Sequence, residues 1–199
     1  MKFTLVLALM FICFNVAAQD YRLELNGNTM KIDLDKDYEV LVNGKKVKLK
    51  FSAYDTLEFN DSTFSFLYSK DYKTSKQLID SVVEQITILT AEGSGFLIQK
   101  YLTLSPIQLN ETMLNEITKE SIGYGYKLTR EDYSRVLKSG QSIKVDKAVL
   151  TYKDNIYTYE VASMGKKDQG VLIMTILLSN KSEQGKKIID MLWKSFTFK

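Results

Sequence analysis

Apolar and polar residues alternate along much of this chain with a period of two, the mark of strands that bury one face. Between residues 21 and 68 almost every segment reads this way. Residues 21–25 run into the turn Asn26-Gly27-Asn28, and a second strand is expected over 29–34. Residues 38–42 meet Asn43-Gly44, a pair suited to a type I′ hairpin because both central positions need positive φ. In the returning arm Val47, Leu49 and Phe51 fall on one face and Lys46, Lys48 and Lys50 on the other. That is a half-buried strand with a wet lysine face. Residues 56–59 and 63–68 complete the β-rich part.

The period then changes. Leu78, Ile79, Val82, Val83, Ile86 and Leu89 recur at steps of three and four, which predicts an amphipathic helix over 74–90. Thr74 and Gln77 fit a capping box at its start, and Gly93 and Gly95 follow its end. A strand is expected at 96–103. A shorter helix should follow over 111–121, capped by Asn110, with Met113, Leu114 and Ile117 inward. Strands are then expected at 124–128, 133–137, 143–152, 156–162 and 171–178, with Asp154-Asn155 as a hairpin turn. The last of these (VLIMTILL) is apolar on both faces, so it should be a central strand covered on each side. A helix over 183–194, capped by Ser182, packs Ile188, Ile189, Leu192 and Trp193 inward, and Phe196 and Phe198 belong to a short closing strand.

One stretch fits neither period. Lys2 precedes the apolar run 5–14, and Val16-Ala17-Ala18 supplies the small residues a signal peptidase reads. The run is shorter than the roughly 20 residues a spanning helix needs. Residues 1–18 therefore read as a signal peptide cleaved near Ala18, which sends the chain to the periplasm, the outer envelope or the extracellular space. No later run approaches a membrane span. Removing residues 1–18 takes away Lys2 and no acid, leaving 26 basic against 24 acidic side chains, a net of +2. That balance does not argue for nucleic-acid binding, which usually shows a pronounced basic excess. The remaining chain suits a β-rich N-terminal extension, 19–62, followed by an α+β domain, 63–199.

Composition narrows the chemistry. The chain has no histidine, and its one cysteine, Cys13, lies in the leader. Ser-His-Asp and Cys-His catalysis and the usual zinc sites all need one or the other. No disulfide can form in the exported chain. Asp33, Asp35 and Asp37 open like a calcium loop, but Tyr38 and Gly44 stand where the glycine and the bidentate glutamate are required, so a solvated turn is the better reading. Ser163 to Lys166 spells S-x-x-K without its companion motifs and at a strand end rather than a helix start. No metal and no cofactor is expected. A carboxylate pair is the remaining catalytic route, and Glu58, Asp61, Glu92 and Glu160 lie in strand-rich regions where an outward acid is the default. Two candidate binding surfaces remain. The lysine face (Lys46, Lys48, Lys50) suits anionic groups or simply a solvated edge. Tyr152, Tyr157 and Tyr159 around one hairpin suit either a protein contact or, for the pair Tyr157 and Tyr159, the core.

From residue 60 onward the order of elements resembles the PsbP-like fold, named after the extrinsic oxygen-evolving-complex subunit. The resemblance lies in Phe64-Ser-Phe66 leading to Lys70-Asp-Tyr72 before a helix, then a strand and a second helix. A strand meander follows, and a last helix runs into Ser195-Phe196. Ser69 stands where the family often has proline, and the histidines that hold metal in some relatives are absent. The resemblance implies an α+β fold, an antiparallel sheet flanked by helices, here with a hairpin-rich N-terminal extension. It also implies a non-catalytic module that binds or helps assemble larger envelope complexes. The residues alone leave three readings: a binder of an envelope or extracellular protein, a histidine-independent carboxylate hydrolase acting on glycan, and a binder of a small apolar ligand.

Overall fold

The computed structural model describes residues 21–199. The expected leader, with Cys13 and the cleavage site near Ala18, lies outside the described residues. Backbone contacts divide the described residues into two units, 21–53 and Tyr54–Lys199. The strand at 56–60, assigned to the N-terminal extension on sequence, is part of the second unit.

In the first unit, β1 (Tyr21–Leu25) pairs antiparallel with β2 (Asn28–Ile32), and β3 (Asp37–Val42) with β4 (Lys45–Lys50). Both hairpins turn on Asn-Gly, with Asn26 and Asn43 at φ 51° and Gly27 and Gly44 at φ 79° and 75°. These are the positive angles a two-residue type I′ turn demands. The aspartates between the hairpins form a plain turn. Asp33 is ion-paired with Lys36 at 2.6 Å, and Asp35 Oδ1 accepts a hydrogen bond from Ser52 Oγ at 2.6 Å.

The second unit contains β5 (Thr56–Asn60), β6 (Phe64–Ser69), β7 (Ser75–Asp80), β8 (Val83–Leu89) and β9 (Gly95–Tyr101). Helix α1 (Asn110–Gly123) follows, then β10 (Lys127–Arg130), β11 (Tyr133–Val136), β12 (Ser142–Tyr152), β13 (Asn155–Lys166) and β14 (Gln169–Leu177). Helix α2 (Glu183–Ser195) and β15 (Thr197–Phe198) close it. An eight-stranded antiparallel sheet runs in the order β10-β12-β13-β14-β9-β8-β7, with β11 beside β10 on the edge of β12. A second sheet has the order β15-β6-β5. The fold is α+β and strand-dominated.

The helix expected over 74–90 is instead the hairpin β7–β8. Asp80 Oδ1 accepts the Val82 N–H at 2.7 Å in the turn, and the register returns as Leu78 opposite Glu84 and Lys76 opposite Ile86. Ile86 and Ile88 enter the core, but Leu78 and Ile79, which would have shared the helix face with Ile86, are exposed. The remaining expected elements are present, with shifted ends. The strand expected at 124–128 begins at Lys127, and the turn between β12 and β13 is Lys153-Asp154, since Tyr152 pairs with Asn155.

Alternation along the large sheet builds two cores. On one face Ile86, Ile88, Phe96, Ile98, Val145, Ala162, Val171 and Ile173 pack against Ile188, Leu192 and Trp193 of α2 and Phe64 and Phe66 of β6. The other face places Ala148, Leu150, Tyr159, Val161, Leu172 and Met174 under Leu114 of α1. Strand β14 lies mid-sheet and is buried on both faces, as its unbroken apolar run requires. Phe59, Phe64, Phe66 and Phe196 stack at centroid distances of 5.2–6.1 Å, and Phe96 meets Phe66 edge-on at 5.3 Å. Each such pair adds about 0.5–1.5 kcal/mol beyond its buried area. One ion pair also joins the two sheets. Lys100 Nζ of β9 lies 2.7 Å from Asp61 Oδ2 in the β5–β6 turn, with both side chains largely buried.

Candidate binding surface

Tyrosine is concentrated at the closed end of the β12–β13 hairpin. The hairpin register sets Leu150 opposite Tyr157 and Ala148 opposite Tyr159, so Tyr152, Tyr157 and Tyr159 share the sheet face that α1 covers. Helix α1 does not reach the hairpin tip. It stops at Gly123, the chain turns at Gly125 (φ 89°), and β10 then pairs with β12 from Lys127 opposite Thr151. Tyr126, the next residue back, therefore lies beside Tyr152. Its ring sits 5.3 Å from Tyr152 and 4.9 Å from Tyr157, stacked on the latter. Tyr152 is 39% exposed and Tyr124, on the turn above, 72% exposed. The Lys153 ammonium lies 5.1 Å from the centroid of the Tyr152 ring. The Tyr157 hydroxyl, hydrogen-bonded to Tyr126, holds the Tyr126 pKa above its ordinary value.

Of the three tyrosines singled out on sequence, Tyr152 and Tyr157 belong to this surface. Tyr159 does not. It is buried beneath α1, and burial raises its pKa despite a hydrogen bond with Ser121. The sequence reading missed Tyr124 and Tyr126. The Gly123-Tyr-Gly125-Tyr run held the signal, because glycines at a helix end return the chain to the sheet.

The lysine face belongs to the first unit and is not a free cationic stripe. Lys48 stands opposite Glu39 and Lys50 opposite Asp37 across the β3–β4 pair, and Lys46 Nζ is 3.6 Å from Glu39 Oε2. All three lysines are exposed. Opposite charges across a strand pair interact favourably but modestly, so Asp37 and Glu39 offset part of the charge of the three lysines.

A polar cluster occupies the other side of the large sheet. Glu160 of β13 accepts from the Tyr133 hydroxyl at 2.8 Å, Trp193 Nε1 at 3.0 Å and Thr175 Oγ1 at 3.3 Å. Arg135 Nη2 donates to the Tyr133 oxygen at 2.6 Å, and its guanidinium lies over the Trp193 ring at 4.7 Å. Burial, with Glu160 adding to it and the Arg135 hydrogen bond opposing, pushes the Tyr133 phenol up to about 12. With three donors on its carboxylate, Glu160 ties α2 and β11 to the sheet. The other acids considered on sequence are also engaged or exposed. Asp61 holds Lys100, Glu92 accepts from Ser182 Oγ, and Glu58 faces solvent on β5. Among the described residues no group of three or more acidic side chains is placed to hold a metal ion. No described helix is long and apolar enough to cross a membrane.

No family model matches the chain, and no curated protein matches it. Among solved structures it is similar to the solution structure of cyanobacterial PsbP (CyanoP) from Synechocystis sp. PCC 6803. The match has 10% identity and a TM-score of 0.47, covering 73% of this chain and 93% of that one. The helix that the sequence-based resemblance placed after Tyr72 is the β7–β8 hairpin. The likeness is one of overall arrangement alone and says nothing of partner or activity.

Proposed function

We propose that the chain is an exported, non-catalytic binding module whose protein partner docks on the tyrosine surface of the β12–β13 hairpin. The observation that carries this reading is the stack of Tyr126 between Tyr152 and Tyr157, with Tyr124 standing beside it in solvent. Tyrosine combines a large contact area with a polar tip and few rotatable bonds, and it is enriched among residues that dominate binding energy. Rings already stacked in the free protein lose little further freedom on docking, so more of the contact energy becomes affinity. The absence of histidine from the whole chain favours binding over acid–base chemistry.

The test is a crosslinking pull-down from native envelope with residues 19–199 as bait, run beside the double variant Tyr124→Ala/Tyr152→Ala. Both positions are exposed, so the fold should survive. One partner at near-stoichiometric yield, lost with the variant, is the expected result. A partner retained undiminished by the variant refutes this docking site.

A second reading has its own observation. A cavity of about 300 Å³ lies between α2, β8 and the segment after β6, lined by Tyr68, Tyr72, Ile88, Ile188 and Met191. Its size and lining suit a small apolar ligand held between sheet and helix. Quenching of Trp193 fluorescence, or a thermal shift with medium-chain fatty acids, would support it. Neither signal is expected if the hairpin surface is the sole binding site.

A further inference from the structure

Helix α2 buries one face in the core, and along the flank of that face Gln184, Lys187, Ile188, Met191 and Lys194 follow one another at helical spacing. Two openings meet on this stripe. One is the cavity of about 300 Å³ between α2, β8 and the segment after β6. The other is an open shelf of about 430 Å³ over Leu67, Lys138 and the last turns of α2. Lys187 and Met191 line both. The inner wall of the cavity is apolar. Ile88 and Ile188 are buried there, and Tyr68, Tyr72 and Met191 are half-buried. Met191 is unbranched and can shift to fit an occupant.

Charge is uneven where the two openings join. On α2, Lys186 is paired with Glu183 at 3.0 Å and Lys194 with Asp190 at 3.6 Å. Lys187 has no carboxylate partner among the described residues, and neither has Lys138 across the shelf. Three lysines thus stand on the shelf against Asp190 alone. Asp71, on the cavity side, accepts from Ser69 Oγ at 3.0 Å within its own turn. Lys187 and Lys138 are both exposed, so their ammoniums are open to a ligand, and their aliphatic stems can lie along a chain that leaves the cavity.

An apolar cavity that opens onto a cationic shelf separates the ligand classes. A wholly apolar molecule fills the cavity and leaves the ammoniums unused. A cationic amphiphile meets like charge. A small anion without a chain finds only exposed lysines, which are worth little in water. An anionic head on a hydrocarbon chain uses both openings. We propose that this site binds a single-chain anionic amphiphile of the fatty-acid class, its chain in the cavity and its carboxylate on the shelf beside Lys187 and Lys138. The inference rests on the cavity reading given above as the second function and adds the head group to it.

The test is isothermal titration calorimetry on residues 19–199 with octanoate, decanoate and dodecanoate, and with decanol and decylammonium as comparisons. Affinity should rise about fourfold for each methylene the cavity takes in. Decanoate should bind more tightly than decanol or decylammonium. The double variant Lys138→Gln/Lys187→Gln should weaken decanoate about fivefold and leave decanol as it was. Gln184→Trp, which fills the cavity mouth from an exposed position, should abolish both. Decanol binding as tightly as decanoate overturns the anionic head and leaves the cavity reading standing. No binding of any chain overturns both. Undiminished decanoate binding by the folded Gln184→Trp variant overturns the site. Without decanoate binding, cosedimentation with phosphatidylglycerol vesicles that the double lysine variant loses and Gln184→Trp keeps marks a lipid surface and overturns the assignment.

Discussion

The ion pair between Asp61 and Lys100 gives the sharpest stability test, because its two halves should fail unequally. Asp61 accepts from Lys100 Nζ at 2.7 Å and from the backbone N–H groups of Thr63 at 2.7 Å and Phe64 at 3.0 Å. Thr63 and Phe64 are 3% and 0% exposed, and the Lys100 side chain is 10% exposed. Asp61→Ala thus strands an ammonium and two amides where water reaches poorly, and the expected loss is about 3–4 kcal/mol. Lys100→Met leaves the carboxylate two backbone donors and partial contact with water, so about 1–2 kcal/mol should go. The assay is urea unfolding followed through Trp193, the chain's one tryptophan, which packs in the same core as Phe64. In thermal melts the Asp61→Ala loss should appear as roughly 10 °C. Burial alone would raise the Asp61 pKa, but Lys100 and the two N–H groups outweigh it and hold the value below 3.8. The stabilisation is therefore present above the ordinary carboxylate range and lost as pH falls through the lowered folded value. Asp61→Asn should flatten that acid limb. A loss under 1 kcal/mol for Asp61→Ala, or a larger loss for Lys100→Met, would refute the reasoning.

Tyr133 makes the opposite prediction at high pH. Its folded pKa, about 12, stands above the ordinary 10, so its stabilisation is complete below pH 10 and disappears as pH rises toward 12. An ultraviolet titration should show a phenol titrating at about 12 that is missing from Tyr133→Phe. Gly95 has φ 146°, and an added Cβ would collide with Ile88 O. Gly95→Ala should cost about 2 kcal/mol or more in urea unfolding, since strain and steric contact add. Gly123, with nothing near its missing Cβ, should accept alanine at little cost.

The parts of the fold legible in the sequence are those where one local signal had no rival. The Asn-Gly hairpins, the doubly apolar β14 and the Ser182-capped α2 belong here. Ser182 Oγ does accept the Gly185 N–H, at 3.2 Å. The β7–β8 hairpin was hidden because two strands of opposite direction happened to repeat apolar residues at helical steps. Discrimination lay in residue type. Val82, Val83, Ile86, Thr87, Ile88 and Thr90 are β-branched, and such side chains lose rotamer freedom in a helix but pack well on a pleated surface. Asn110 was misread for a related reason: Leu109 occupies the cap position and Asn110 is the first helical residue. Its residue type favours a cap, but where the helix begins depends on where residues 105–109 rest, and Gly165 and Gly170, which leave room for Ser105 and Pro106, set that from far along the chain. Half of the tyrosine surface, Tyr152 and Tyr157, was visible as two tyrosines flanking one expected hairpin turn. Tyr126 joins it only through the pairing of β10 with β12, a long-range register that no local window contains.

Strand β6 has consequences in time as well as in space. Its second neighbour, β15, comes from further still along the chain than the Ser195 hydroxyl that accepts the Leu67 N–H, itself 128 residues away. At ordinary synthesis rates of about 5–20 residues per second, that separation is a wait on the order of ten seconds. For that interval Phe64 and Phe66 lack the Phe196 ring and helix α2 that cover them. A chain in this condition is a ready client for holding factors, and its second unit cannot complete itself piecemeal as it emerges. The late arrival of one short strand thus keeps the second unit open until β15 has been made.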